Sequence, residues 1–376
     1  NSFSAKIFKQ LNIIYSYKNT VIIVFAIILV VCSYGITQIN TNSSHYAIPK
    51  KTDLYNSYQF FETNFGGSRT FELVLSTQKE EQLIAPELIN TVYSIDNYLK
   101  LHPDLNAVKS PFDNYIIMHQ AYHPADYKKI PFPLNSKTIQ KYDRQLSLVL
   151  KKKYLSNKSN TLFKFQAQMK ELGKYKTAKI QKNILNNVNH LIGEKPIEAR
   201  LSGIDLLIDL SQQKSIQNTF WGLLIAIGVV SIALTLVFKS ISLGVLAVFL
   251  NIIPLVITAG IMGYAQVDLR AEIALIFTVG FVIAVDDTIH LLSKFQWERH
   301  RGASVEVAIK TAVLDCGKAI LATSIILVGG FFILMISDSS EIFTLGLLVG
   351  IIVIITLCVD LILAPIVILK WFQKYL

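Results

Sequence analysis

Three cysteines among 376 residues are too few for a disulfide framework, and their placement removes that option altogether. Cys32 and Cys358 stand inside long apolar runs and Cys316 in a basic stretch, so the polar segment from about Thr37 to Asn218 contains none. A domain folded from that segment must be held by its core. No Cys/His spacing suited to a metal is present, and no metal or other cofactor is expected. The first apolar run lacks a small-residue cleavage site behind it, so it is expected to remain as an anchor. Lys and Arg outnumber Asp and Glu by 36 to 26, a net charge of +10, yet no nucleic-acid module signature goes with the excess. Lysines such as Lys151, Lys152 and Lys153 sit among Asn, Ser and Gln, as on a solvated surface, and no nucleic-acid partner is expected.

What the chain has in abundance is apolar sequence: 52% of its residues are hydrophobic, above the usual share for a soluble domain. A bilayer core takes about 20 mostly apolar residues to cross. Six stretches qualify, centred on Val21 to Ile36, Phe220 to Phe238, Leu243 to Tyr264, Ala271 to Leu292, Ala319 to Ile336 and Ile342 to Leu369. The first is short and is expected to extend to either side. The fold class that follows is a polytopic α-helical membrane protein with six spanning helices arranged one plus five and a domain between the first and second. The expected boundaries are a cytoplasmic or interfacial helix over 1–18, a first span over 19–38, a soluble domain over 39–215, a five-helix bundle over 216–371 and a tail over 372–376. Phe3, Ile7, Leu11 and Ile14 or Tyr15 give the first of these its apolar stripe, with Lys6 and Lys9 beside it. The chain begins with Asn rather than Met, as a segment of a longer polypeptide would, though processing would leave the same mark.

Short-loop charge sets the expected orientation. Lys6, Lys9, Lys18, Lys239, Lys294, Arg299, Arg301, Lys310, Lys318, Lys370 and Lys374 fall on one side. The opposite short loops carry Asp268, Arg270 and Glu272, or Asp338 and Glu341. Both termini are therefore expected in the cytoplasm and the domain outside it.

Within that domain RTFELVLST alternates as a strand, and Pro86 to Leu101 reads as a helix with Leu88, Val92, Ile95 and Leu99 on one face. A short strand follows near Asn106 to Lys109, bounded by Pro103 and Pro111. Tyr115 to Pro133 reads as loop, and Lys137 to Lys152 as helix. The order then repeats, with strand TLFKFQAQM, helix Lys174 to Ile192 and strand IEARLSG. Two strand-helix-strand units predict a split βαβ, ferredoxin-like α+β domain.

The chemistry is concentrated in AEIALIFTVGFVIAVDDTIHLL. On insertion scales a central Asp costs about 2.5 to 3.5 kcal/mol, whereas each Leu, Ile, Phe or Val returns roughly 0.3 to 0.6. Asp286 and Asp287 together nearly cancel their helix, whose acidic face is expected to turn into a protein bundle. Two adjacent carboxylates in low dielectric cannot both stay ionised cheaply, and the pair should titrate as a unit. His290, one turn on, can reach either acid and is a candidate for the same proton relay or merely the interfacial end of the helix. By helical rise Thr323 and Ser324 lie about 7 to 9 Å inside Lys318, and Asp287 about 10 Å inside Lys294, so they can be level. Asp360 lies about 15 Å inside Lys370 by the same rise and needs a partner there, as a relay member or, preferably, a supporting group. Pro365 frees the Leu361 carbonyl just below it, and Pro254 frees that of Leu250, near Asn251. Gly346 and Gly350 have the spacing of close helix approach, and Gly280 is grouped with them as a packing position.

GFVIAVDDTIHLLSKFQWERHRG, then AIKTAVLDCGKAILATSIILVGGF, then LGLLVGIIVIITLCVDLILAPIVIL resemble one half of a resistance-nodulation-division (RND) transporter. The branch they look like is that of the MMPL-type exporters and their hopanoid- and sterol-handling relatives. The resemblance covers about Gln212 to Trp371 and, more weakly, the preceding domain through SGIDLL. It implies an outer porter domain, a second six-helix half in the same polypeptide or as a second copy, and membrane lipids and a hydrophobic cargo as partners. It also implies a proton-driven exporter of the bacterial cytoplasmic membrane, a secondary transporter rather than an enzyme. By the same resemblance a hydroxyl of the fifth helix belongs near the titrating acids, preferably Thr323, then Ser324. The chain departs from the drug-efflux branch in having no Lys or Arg in the core of the fourth helix. A sterol-sensing receptor or scaffold is the alternative, and an intramembrane aspartyl protease is disfavoured because the acid pair shares one helix and Asp360 lacks a GxGD setting.

Overall fold

The computed structural model describes residues 17–41, 52–77, 82–123, 135–146, 156–157 and 159–373. The interfacial helix expected before Tyr17, the tail beyond Gln373 and the stretches 124–134 and 147–155 lie outside them. The chain divides into two compact units, one comprising Asn1–Ser43 with Gln212–Leu376, the other Ser44–Ser211. It is mostly helical, with a small antiparallel sheet.

In the second unit the elements are α2 (Asp53–Asn64), β1 (Arg69–Thr77), α3 (Ile89–Lys100), β2 (Asn106–Lys109), α4 (Phe112–Tyr122), α5 (Ser136–Gln145), β3 (Leu162–Met169), α6 (Lys174–Ile192) and β4 (Ile197–Ser202). The sheet order is β2-β3-β1-β4 and every pairing is antiparallel. Its register brings Leu73 opposite Phe165 and Leu201. Alternation decides the buried face, with Phe71, Leu73 and Leu75 of β1 and Phe163, Phe165 and Ala167 of β3 all inside. The apolar stripes Val92/Ile95/Leu99 of α3 and Ile184/Val188/Ile192 of α6 join the same core.

Two local expectations fail here. Residues 115–122, part of the stretch Tyr115 to Pro133 read as loop, belong to α4, in which Tyr115 and His119 lie one turn apart and both bury, Tyr115 donating to Asp143 and His119 Nδ1 lying 2.9 Å from the Tyr142 hydroxyl. The helix expected from Pro86 begins only at Ile89, after a run of turns. Asp53–Asn64 carries no buried residue and so no core stripe; its start is marked by Thr52, whose hydroxyl accepts from Tyr55 N at 3.2 Å.

Two polar networks brace this unit. Arg69, 1% exposed at the start of β1, pairs with Glu171 at 3.1 Å and with Asp209, while Thr70 N donates to Asp205 at 2.6 Å. Burial works against the Arg69 charge, but Glu171 and Asp209 outweigh it and hold the guanidinium above its ordinary value. Lys100 bridges Asp96 at 2.9 Å and Asp113 at 2.7 Å.

The first unit contains six helices long and apolar enough to cross a membrane. They are α1 (Lys18–Ile36), α7 (Ile204–Phe238, which begins in the other unit), α8 (Ile241–Tyr264), α9 (Ala271–His300), α10 (Val305–Ile333) and α11 (Ser340–Cys358), which continues through a π turn, Val359–Leu363, into α12 (Ala364–Gln373). Serine marks two helix starts: Ser240 accepts from Leu243 N and Ser304 from Val307 N. Close packing of α1 on α8 rests on glycine, since a Cβ at Gly260 would overlap the Cys32 backbone and one at Gly263 the Gly35 carbonyl. Gly280 lies against Ile352 of α11, and Gly346 and Gly350 lie against Phe331 and Phe332 of α10. The π turn has a local cause. Pro365 offers no N–H and its ring crowds a carbonyl in the preceding turn; the backbone widens, and Ala364 N bonds to Val359 O instead. Pro254 lies within a continuous α8.

Candidate functional site

Successive residues on an α-helix point about 100° apart, and α9 uses that turn to separate its two acids. Asp287 faces inward at 8% exposure, whereas the Asp286 side chain is 75% exposed on the bundle surface. His290 follows Asp286, with Nε2 3.7 Å from Oδ1 and its own side chain 68% exposed. That spacing sets the two side chains beside each other without a normal hydrogen bond. The three side chains therefore fall on two faces, an outward Asp286–His290 pair and an inward Asp287.

The inward face continues with Thr288, which is fully buried. Its Oγ1 lies 2.7 Å from Asn251 Oδ1 of α8 and 2.8 Å from Asp360 Oδ1 in the π turn. Asp360 is 1% exposed, as is Asn251, and neither Asp360 Oδ2 nor Asn251 Nδ2 has a protein partner. Among the described residues no Lys or Arg pairs with Asp287 or Asp360. Lys294 binds Glu298 and Asp315 at 3.0 Å, and Arg270 lies within ion-pair range of Asp268 and Glu341. Lys294 and Arg301 also cover the ring of Trp297 at the same end of α9.

On α10 the two hydroxyls point apart. Thr323 is exposed and bonds the carbonyls of Ala319 and Ile320 in its own helix, each at 3.0 Å. Ser324 is 1% exposed, with its Oγ buried and without a protein partner. The preference for Thr323 thus settles on the outward residue, and the inward hydroxyl of that helix is Ser324.

Thr288 is the residue that sequence reasoning passed over. It stands inside VDDTIH between the acids and His290, and the apolar bundle offers few mid-span polar groups for it to meet. From the sequence Asp360 is expected to need a partner, and Asn251 is noted only beside the carbonyl freed by Pro254; that one hydroxyl meets both depends on α8, α9 and the π turn converging.

A second feature lies at the opposite end of the bundle from Lys294. Ile36 and Ile39 beyond α1, Phe220 and Leu223 of α7, Leu255 of α8 and Phe277 of α9 are among the residues around a cavity of about 410 Å³ whose wall is almost wholly apolar. The outer surfaces of α7 and α10 are apolar as well, with Trp221, Ile225, Ile232 and Ile326 largely exposed. Such surfaces suit lipid or another apolar helix, not water.

Residues 91–370 match the MMPL family, whose members are RND-type membrane transporters rather than enzymes. A Methanocaldococcus jannaschii protein, itself named only as an inferred membrane protein, is 22% identical over 370 residues, covering 91% of this chain and 90% of that one. The match takes in the acid-bearing helix, the π turn and most of the sheet, and it bears out the resemblance of the three apolar segments: the chain belongs to the MMPL family.

Proposed function

We propose that this chain is one half of a proton-driven exporter that moves a hydrophobic or lipid-like cargo across or out of a bacterial cytoplasmic membrane. The observation that carries this reading is the division of α9 into an inward Asp287 and an outward Asp286–His290 pair. An Asp facing lipid at mid-span costs about 2.5 to 3.5 kcal/mol on insertion scales. A second six-helix half laid over that face removes the cost and closes the acids into a shared, poorly solvated site. The second half comes either from the same polypeptide or from a second copy.

In that assembly Asp286, Asp287 and His290 take up and release protons, with the buried Ser324 at hand and Thr323 in a lesser place. Asp360 supports them. One charge crossing 100 mV is worth about 2.3 kcal/mol, enough to bias an equilibrium between two packings of the bundle. Gly280, Gly346 and Gly350 give those packings close helix contacts; Pro365 follows the π turn, and Pro254 leaves α8 one backbone donor short. The 44–211 unit serves as the porter domain outside the cytoplasm, the termini lying inside. The strand order β2-β3-β1-β4, antiparallel throughout, supports reading it as a split βαβ, ferredoxin-like domain. The apolar cavity beside Phe220 and Phe277 suits cargo entering from the lipid. No cofactor other than the coupling proton is invoked.

The test uses the full chain in vesicles with an imposed pH gradient and a fluorescent lipid-like amphiphile. Export is expected to follow the gradient and to be lost in Asp286→Asn with Asp287→Asn. Transport that survives this double substitution overturns the reading. The same cavity also fits a sterol-sensing receptor; binding of the amphiphile without gradient-dependent movement would favour that alternative.

A further inference from the structure

The contacts around Thr288 contain a proton count that the acid pair does not explain. A threonine hydroxyl has one proton to give, yet Thr288 Oγ1 lies 2.7 Å from Asn251 Oδ1 and 2.8 Å from Asp360 Oδ1. If it donates to Asn251, the contact with Asp360 is a clash of two lone pairs unless Asp360 carries a proton and donates to Thr288. The other arrangement turns the Asn251 amide over, so that Nδ2 donates to Thr288 and the hydroxyl donates to an ionised Asp360. That leaves a negative carboxylate 1% exposed with a single hydrogen bond, its Oδ2 unpartnered and the charge of Asp287 acting on it. An isolated buried carboxylate is much the costlier state, whereas the unpartnered carbonyl oxygen of a neutral acid costs only what a neutral polar atom does. No described Lys or Arg pairs with Asp360 to offset the charge; Thr288, which touches it, and Asn251, on the other side of Thr288, are both neutral.

We propose that Asp360, Thr288 and Asn251 form a proton-holding site separate from the Asp286–Asp287 pair, in which a neutral Asp360 donates to Thr288 Oγ1 and Thr288 donates to Asn251 Oδ1. The π turn is what makes it possible. Widening the backbone over Val359–Leu363 sets Asp360 within reach of Thr288 on α9 at the place where Pro365 interrupts the regular ladder. The site ends one residue from Asp287. With Asp360 neutral, a negative charge on Asp287 stands alone on this inward face, so the state of one acid bears on the state of the other.

The test is infrared difference spectroscopy of the purified full chain in lipid nanodiscs at neutral pH. Wild type is expected to show a carboxylic-acid C=O band that Asp360→Asn removes and that Asp286→Asn with Asp287→Asn leaves in place. Thr288→Val keeps the volume but neither donates nor accepts, and should move that band to the higher frequency of an acid without a hydrogen bond. A spectrum in which Asp360→Asn removes only carboxylate bands, or a band indifferent to Thr288→Val, overturns the proposal. Should Asp360→Asn fail to fold, the Thr288→Val shift measured with isotopically labelled aspartate makes the same decision. The measurement needs no cargo, so its outcome is independent of whether the chain exports anything.

Discussion

Asp286 and Asp287 follow one another in the chain and face different surroundings, one with its side chain 75% exposed on the bundle surface and the other 8% exposed within it. The two single substitutions should therefore separate. Asp287→Asn is expected to abolish gradient-driven movement of the amphiphile while leaving oligomeric state unchanged. Asp286→Asn removes the group that most needs covering, so it should shift the balance between single and paired units in nanodiscs, read by mass photometry. Identical behaviour of the two variants in both assays would contradict the division of faces.

Ser324 and Thr323 make a second contrast. Ser324→Ala deletes a buried hydroxyl without a protein partner, so its effect on thermal stability should stay within about 1 kcal/mol. If that hydroxyl serves the acids, transport falls all the same. Thr323→Val, on the exposed face, is expected to leave transport near wild type. The reverse order of effects would place the working hydroxyl on the outward face.

Helix packing offers a test that does not depend on function. Gly260→Val drives a side chain into the Cys32 backbone and should cost about 1 to 3 kcal/mol, seen as a lower melting temperature in detergent. Gly329→Ala and Gly330→Ala meet nothing within 4 Å and should be silent.

The sheet domain has a pH signature of its own. Burial pushes the Asp96 carboxyl up, against the pull of Lys100; burial lowers Lys100 too, but Asp113 and Asp96 outweigh it and hold it above the ordinary lysine value. A folded-state value above the unfolded one means stability that is present at low pH and lost as pH rises through the folded value. For Lys100 that loss comes only in the alkaline range. In Lys100→Ala the buried Asp96 loses its counter-charge, so the expected cost of about 1 to 3 kcal/mol should grow from acid to neutral pH. Asp96→Asn in the same background should flatten that dependence, as followed by thermal denaturation across pH.

Much of the fold was legible because its signals are local. β1 and β3 alternate over a whole strand, Lys174–Ile192 repeats its apolar residues at helical spacing, and the six apolar runs are long enough to cross a membrane. α4 was not legible, because the Pro-rich stretch beyond it masked a helix whose buried positions are Phe112, Asn114, Tyr115 and His119 rather than aliphatic residues. α2 buries nothing and so carries no stripe to read.

The residues alone determined that Asp286, Asp287 and Asp360 stand within apolar runs long enough to cross a membrane. They could not determine which acid faces inward, because a 100° turn between neighbours acquires meaning only when other helices occupy one side. Tertiary structure made that choice. It placed α8 and the π turn against Thr288, joining Asn251 to Asp360 across 109 residues of chain. A polar side chain in an apolar bundle takes whatever partner the packing brings within reach, and that partner is set by helix position, not by distance along the sequence.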